Sequence, residues 1–231
     1  MKALDLYCGA GGAGQGLADA GFEVFGVDMN PQKNYPFEFH LEDVLKLSAG
    51  LLSEFDFIWA SPPCQAHSCM TKRWGNRKIK EHLDLIPDTR KLLNASGVPY
   101  VIENVVGAPL INPVMLCGSM FGLQTQHGSQ LRRHRLFEAT FPIEPLKCKH
   151  NKGSVIGVYG GGQHPERRIP PTICVCGHQR GKAGTGEEHL NFGIQDRRDA
   201  MGIQWMTGKE LSQAIPPAYS KYIAEQFLKS I

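Results

Sequence analysis

The 231-residue chain carries a formal net charge of +3, with 42% hydrophobic and 20% charged residues. That balance excludes disordered, collagen-like and fibrous classes, and the length suits one large domain, or one domain with a small lobe, at ~100–200 residues per domain. No apolar run nears the ~20 residues of a membrane span, and Asp5 interrupts the N-terminal apolar stretch, so no membrane segment or secretory leader is expected and the predicted location is cytoplasmic. Seven cysteines, an odd number in a chain this long, suit reduced thiols rather than a disulfide framework.

The charge is unevenly spread. Residues 1–60 carry 3 basic and 9 acidic side chains, whereas residues 126–182 carry 10 basic and 3 acidic ones. An acidic first quarter suits a neutral or cationic ligand, and a basic middle suits a polyanion.

Ala3-Leu4-Asp5-Leu6-Tyr7 reads as a first strand running into Cys8-Gly9-Ala10-Gly11-Gly12. A small-residue helix follows through Leu17 and Ala20, with Gly21 as its stop. Further strands are predicted over 22–28, 55–60 and 98–105, the last preceded by a helix over about residues 81–95. Strand, glycine turn, helix, strand is the pattern of a parallel sheet with crossover helices. From residue 142 to 197 glycine, proline and histidine become frequent and no long periodic segment survives, which reads as a small lobe or long insertion. Residues 198–231 read as helical, with Pro216-Pro217 as an interruption.

Two places carry chemistry. Glycines at 9, 11 and 12, after a strand and before a helix, allow backbone to approach a ligand closely. Asp28, sixteen residues beyond Gly12 at the end of the next strand, can accept both hydroxyls of a ribose. Asp5 and Asp28 disfavour a pyrophosphate and tolerate a ligand with an amino group and a sulfonium. A tight turn with no ligand satisfies the same spacing. The second place is Ser61-Pro62-Pro63-Cys64-Gln65, directly after a strand. Ligands of open parallel sheets bind beyond the carboxyl ends of strands, and two prolines give the thiol a defined direction. Lys72, Arg73, Arg77, Lys78 and Lys80 follow and would favour a thiolate if their loop folds over Cys64. Cys8, Cys69 and Cys117 read as buried small hydrophobes.

These motifs resemble those of the DNA (cytosine-5)-methyltransferases. Asp5-Leu6-Tyr7-Cys8-Gly9-Ala10-Gly11-Gly12 is similar to the family's first motif, Asp28-Met29-Asn30 to the second and Glu42-Asp43-Val44 to the third. Pro62-Pro63-Cys64-Gln65 is the nucleophile motif unchanged, and Glu103-Asn104-Val105 is the family's Glu-Asn-Val. Arg133-His134-Arg135 is similar to Gln-x-Arg-x-Arg, with Leu131 where glutamine is usual. Arg198-Asp199-Ala200-Met201 with Trp205-Met206 resembles the Arg-Glu-Ala motif, and Ser212-Gln213-Ala214-Ile215-Pro216 stands for the family's Gly-Asn-Ala-Val-Pro.

The resemblance implies an α/β fold of the Rossmann-like, S-adenosylmethionine-dependent type. Residues 1–141 would form the catalytic cofactor-binding domain, 142–197 a small irregular target-recognition lobe, and 198–231 a helical segment returning to the catalytic domain. Methylation of carbon 5 of cytosine in double-stranded DNA follows, in a restriction-modification or phage setting within a bacterial cytoplasm, by a monomer unless the short lobe calls for a partner or second copy. Cys64 would add to carbon 6 of a flipped-out base, Glu103 would hydrogen-bond or protonate nitrogen 3, and Arg133 and Arg135 would hold oxygen 2. S-adenosylmethionine would sit on Asp5, Tyr7, Cys8, Gly9, Gly11, Gly12, Asp28, Met29, Asp43 and Pro62. Gln65, Lys72, Arg73, Arg77, Lys78, Arg167 and Arg168 would meet DNA.

Cys148, His150, Cys174, Cys176 and His178 place five nitrogen or sulfur ligands in a lobe too small for a good core, an option for structural zinc against a prior of no metal. Other functions compete. Transfer-RNA cytosine methyltransferases usually show a Cys-Phe-Thr tripeptide, absent here. A catalytically inactive DNA-binding relative would need none of Cys64, Glu103, Arg133 or Asp28. A small-molecule enzyme acting on free cytidine nucleotides has no use for so positive a lobe.

Overall fold

A computed structural model of the chain describes residues 1–67, 82–158 and 192–231. Its strands are β1 (Lys2–Leu6), β2 (Glu23–Asp28), β3 (Glu38–Leu41), β4 (Phe57–Ala60), β5 (Tyr100–Asn104), β6 (Val114–Leu116), β7 (Gln130–Leu131), β8 (Arg135–Ala139) and β9 (Val155–Ile156). The helices are α1 (Gly12–Asp19), α2 (Ala49–Leu52), α3 (Ile86–Ser96), α4 (Ile194–Met201), α5 (Gly208–Gln213) and α6 (Pro217–Ser230).

Seven strands form one sheet in the order β3-β2-β1-β4-β5-β8-β6, and β7 pairs with β9 in a two-stranded piece. Strands β1 to β5 run parallel, whereas β8 is antiparallel to both β5 and β6. A parallel sheet is covered on both faces, and the side-chain period of two sorts its residues accordingly. Ala3, Phe57, Trp59 and Val101 meet Leu17 of α1 and Tyr219, Ile223 and Phe227 of α6 on one face. Leu4, Leu6, Ile58, Ala60 and Ile102 meet Leu52 and Leu93 on the other. A third, smaller cluster joins Leu131, Ile156 and Val158 to Ala200, Met201, Met206 and Leu211 beneath the second half of the chain.

Local chemistry explains the helix ends. Gly21, at φ 95°, terminates α1. Helix α3 begins at Ile86 rather than near residue 81, because Asp84 Oδ1 accepts from Ile86 N at 3.0 Å and Pro87 occupies the first turn. Thr207 caps α5 through a reciprocal bond pattern with Glu210. Across the sheet, Arg90 of α3 grips Glu138 of β8 through two 2.7 Å contacts, and Glu138 also accepts from Ile111 N at 2.7 Å.

Two described segments bear on the expected small lobe over residues 142–197, most of which lies outside the described residues. Helix α4 starts at Ile194, so the boundary between residues 197 and 198 falls inside a helix. Ile143, assigned to the lobe, is buried in the core against α6. Among the described residues no helix is long and apolar enough to cross a membrane.

Candidate active site

The strand order reverses direction at β1, which has β2 on one side and β4 on the other; a crevice forms beyond the carboxyl ends of strands at such a switch point. The chain leaves β1 through a turn with Tyr7, Gly9 and Gly11 at φ 57°, 50° and 86°. A β-carbon on Gly11 would lie 2.7 Å from Pro36 Cδ and one on Gly12 2.4 Å from Ile215 O, so both positions exclude side chains. At Gly9, by contrast, the space is open. Asp28 stands at the end of β2 and accepts from Gly9 N at 3.2 Å and Asn30 N at 2.9 Å. Met29 beside it is 67% exposed. Tyr7 is anchored by a 2.8 Å bond between its hydroxyl and Thr89 Oγ1, and burial pushes its phenol up to about 12. Asp43 caps a short 3-10 turn, accepting from Leu45 N at 3.1 Å. Cys8 is buried, and burial with Asp5 and Asp28 nearby pushes its thiol up, so it is a packing residue of the turn.

Asp5 is fully buried between β1 and α1. Tyr35, which the sequence did not single out, donates to its Oδ2 at 3.3 Å, while Oδ1 has no hydrogen-bond partner among the described residues. Burial raises its carboxyl pKa well above the usual range.

The second half of the crevice is the 61–67 loop after β4. Asn104 Nδ2 donates to Pro62 O at 2.9 Å, tying this loop to the end of β5. Pro62 is buried, Cys64 half-buried and Gln65 exposed. His67 N donates to Cys64 O at 3.0 Å and His67 Nε2 lies 2.9 Å from Asp84 Oδ1, joining the chain before residue 68 to the chain after residue 81. The charges of Arg135, Glu103 and Arg133 all act on the thiol of Cys64. Burial raises its pKa and outweighs the two guanidiniums; Lys72, Arg73, Arg77, Lys78 and Lys80, on which the thiolate expectation rested, lie outside the described residues.

Glu103, at the end of β5, is buried. Burial raises its pKa against the opposing pull of Arg135, a hydrogen bond from Ser61 and the charge of Arg133. Arg135 Nε lies 3.1 Å from Glu103 Oε1. Trp59 Nε1 donates to Ser61 Oγ at 2.9 Å, so an unbroken chain runs Trp59–Ser61–Glu103–Arg135. Neither Ser61 nor Trp59 carried a sequence signal beyond lying next to the motif.

The two arginines part company. Arg133 is buried, and its guanidinium donates to Val158 O and to Ser212 O, the latter at 2.8 Å. Its own carbonyl accepts from Tyr219 at 2.6 Å. Arg133 therefore joins β7–β9 to the C-terminal helices, and Arg135 is the cation beside the thiol and carboxyl. The C-terminal segment closes over the glycine turn, with Trp205 Nε1 donating to Ala10 O at 2.9 Å and Ser220 Oγ to Ala13 O at 2.8 Å.

Lys72, Arg73, Arg77, Lys78, Arg167 and Arg168 lie outside the described residues, as do Cys69, Cys174, Cys176 and His178. Cys148 and His150 are described, and they gather with Cys117 and His134, whose ligand atoms all fall within 4.8 Å of one another. Cys117 and His134 thus join Cys148 and His150 without having been read as ligands from the sequence, and Cys117, expected as a buried small hydrophobe, lies in a cluster of possible metal ligands.

Comparison with known proteins gives these features a context. The family model described as C-5 cytosine-specific DNA methylase matches residues 1–109. Type II methyltransferase M.NlaIV of Neisseria lactamica is 30% identical over 121 residues, 46% of this chain and 28% of that protein. M.NgoBV of Neisseria gonorrhoeae matches to the same extent. The match therefore spans less than a third of the length of those curated relatives. Among solved structures, a protein described as a DNA modification methyltransferase encoded within an E. coli prophage aligns with TM-score 0.60 at 14% identity, covering 100% of this chain and 99% of its own. The S. pombe Dnmt2 methyltransferase aligns with TM-score 0.56 at 16% identity, covering 99% of both chains. At these identities the structural likeness establishes the fold.

Proposed function

We propose that the protein is a cytosine-5 DNA methyltransferase, of the family whose model matches residues 1–109, and that it methylates carbon 5 of cytosine in double-stranded DNA with S-adenosylmethionine as donor. The observation that carries the reading is the convergence of Cys64, Glu103 and Arg135 from the ends of β4, β5 and the start of β8, with a 3.1 Å contact between the last two. A carbon nucleophile must be made from an aromatic ring, and these three groups supply the means. Cys64, on losing its proton, adds to carbon 6. Glu103 holds a proton more tightly than a solvated carboxyl and so can pass it to nitrogen 3 as electron density arrives there. Arg135 steadies oxygen 2 and, by its charge, opposes the burial that disfavours the thiolate. Arg133 acts through packing, holding the segment from which Arg135 projects.

The first half of the site fits the proposed donor. Bound S-adenosylmethionine supplies an electrophilic methyl group. Open space at Gly9, a carboxylate at Asp28 and the exposed Met29 suit a nucleoside, and the unpartnered buried Oδ1 of Asp5 gives a cationic ligand a reason to be attracted. A base within a duplex cannot present carbon 6 to a thiol, so the nucleotide must rotate out of the stack.

Duplex DNA containing 5-fluorocytosine tests the reading. Fluorine cannot leave as a cation, so wild-type protein with S-adenosylmethionine should form a denaturation-resistant covalent adduct that Cys64→Ser does not form. An adduct with fluorocytosine RNA and none with DNA would overturn the assignment of substrate.

A further inference from the structure

We propose that Cys117, His134, Cys148 and His150 form a structural zinc site that pins the entry to the recognition lobe against the strand bearing Arg135. Four ligands reach one point from three separate stretches of chain: the end of β6, the residue before β8, and the Cys-x-His step at 148–150. Two thiolates and two imidazoles are a donor set that selects zinc.

Two of the edges match those of a zinc tetrahedron. With Zn–S about 2.3 Å and Zn–N about 2.0–2.1 Å, a sulfur–nitrogen edge is about 3.6 Å. Cys117 Sγ lies 3.4 Å from His150 Nε2, and Cys148 Sγ lies 3.5 Å from His134 Nε2. Both histidines thus turn the same ring nitrogen to the cluster. Their rings stand at 87° with centroids 5.2 Å apart.

Supporting contacts surround the cluster as they do around metal ligands. Ser119 Oγ lies 3.4 Å from Cys117 Sγ and donates to it, while accepting from Lys149 N at 3.2 Å. Gln130 Nε2 donates to Lys149 O at 2.8 Å. The central residue of the Cys-x-His step is therefore held by both backbone groups, which fixes its neighbours Cys148 and His150 on one side. Residues 147–150 are otherwise exposed and have few apolar contacts to hold them. Arg135 Nη1 donates to His134 O at 2.9 Å, so the metal would fix the backbone that aims the active-site guanidinium.

The test is metal content, which is independent of methyl transfer and so separates this inference from the proposed function. Full-length protein purified under reducing conditions without chelator should carry about one equivalent of zinc. Replacing the zinc by cobalt should produce the visible absorption of a tetrahedral site with a thiolate charge-transfer band. Cys148→Ser and His150→Ala, both at exposed positions, should lose the metal and the spectrum, and Cys64→Ser should keep both. Less than about a tenth of an equivalent of zinc with no cobalt spectrum would overturn the site. Loss of zinc in Cys174→Ser or Cys176→Ser, but not in Cys148→Ser and His150→Ala, would overturn the ligand set. A Cys117–Cys148 disulfide in the isolated protein would overturn it as well.

Discussion

At the scale of single residues, the contest at Cys64 is between burial and two guanidiniums, and burial wins in the arrangement described here. The thiol therefore titrates above its ordinary range, and its reactivity rises with pH as the thiolate fraction grows. Arg135 opposes the burial, so Arg135→Gln should move the midpoint further up. Alkylation of the Cys64 peptide, followed by mass across pH, reads this without any substrate. A midpoint unchanged or lowered in Arg135→Gln would mean that Arg135 does not act on the thiol. The same argument assigns different work to two arginines only two positions apart. Arg133 spends its guanidinium on carbonyls of Val158 and Ser212, whereas Arg135 keeps Glu103. Sequence spacing treats the pair alike because a repeated residue type says nothing about which way each side chain leaves the backbone.

Between elements, the glycine-rich helix α1 is shaped by its partner α6 as much as by any ligand. A β-carbon on Gly16 would sit 2.1 Å from Pro217 O and 2.2 Å from Ser220 Oγ. Backbone cannot yield cheaply there, so Gly16→Ala should cost about 1–3 kcal/mol, the usual range for overpacking. Urea denaturation at neutral pH measures it, and a neutral or stabilising result would show that the helices separate freely. Glycines that suggest a nucleotide turn in the sequence thus divide into two groups. Gly9 faces open space, whereas Gly11 is closed in by Pro36 and Tyr35 and Gly12 is needed, like Gly16 further along α1, for close packing against the C-terminal third. The early strands β1, β2, β4 and β5 were legible because buried parallel strands are near-continuous apolar runs. Short β3, β6, β7, β8 and β9 were not, since two to five residues with mixed polarity carry no period.

Taken whole, the molecule brings its ends together: Trp205 reaches Ala10, and Ser220 reaches Ala13. The proposed polyanion would meet the basic middle of the chain, where residues 61–182 hold 17 lysines and arginines against 7 acidic residues. Duplex affinity should then fall with salt, and replacing Lys72, Arg73, Arg77 and Lys78 by glutamine should flatten the log–log slope by about 0.9 for each side chain that touches a phosphate. Titration of a labelled duplex across salt concentrations measures the slope, and an unchanged slope would place those four away from phosphate.

The amino-acid sequence by itself determined the α/β class, the glycine turn with Asp28, and the motifs bearing Cys64 and Glu103. Each is a local signal: an apolar run, a glycine spacing, a proline-flanked thiol. Tertiary structure alone decided the rest. It placed the Arg135 guanidinium in an ion pair with Glu103 while turning that of Arg133 to the carbonyls of Val158 and Ser212, threaded Ser61 and Trp59 into the same chain of bonds, and carried Cys117 and His134 to Cys148 and His150. Apart from the Trp59–Ser61 bond, those contacts join residues 14 to 79 positions apart, several of them through an antiparallel return of the sheet, and no local pattern encodes which distant side chains such a return brings face to face.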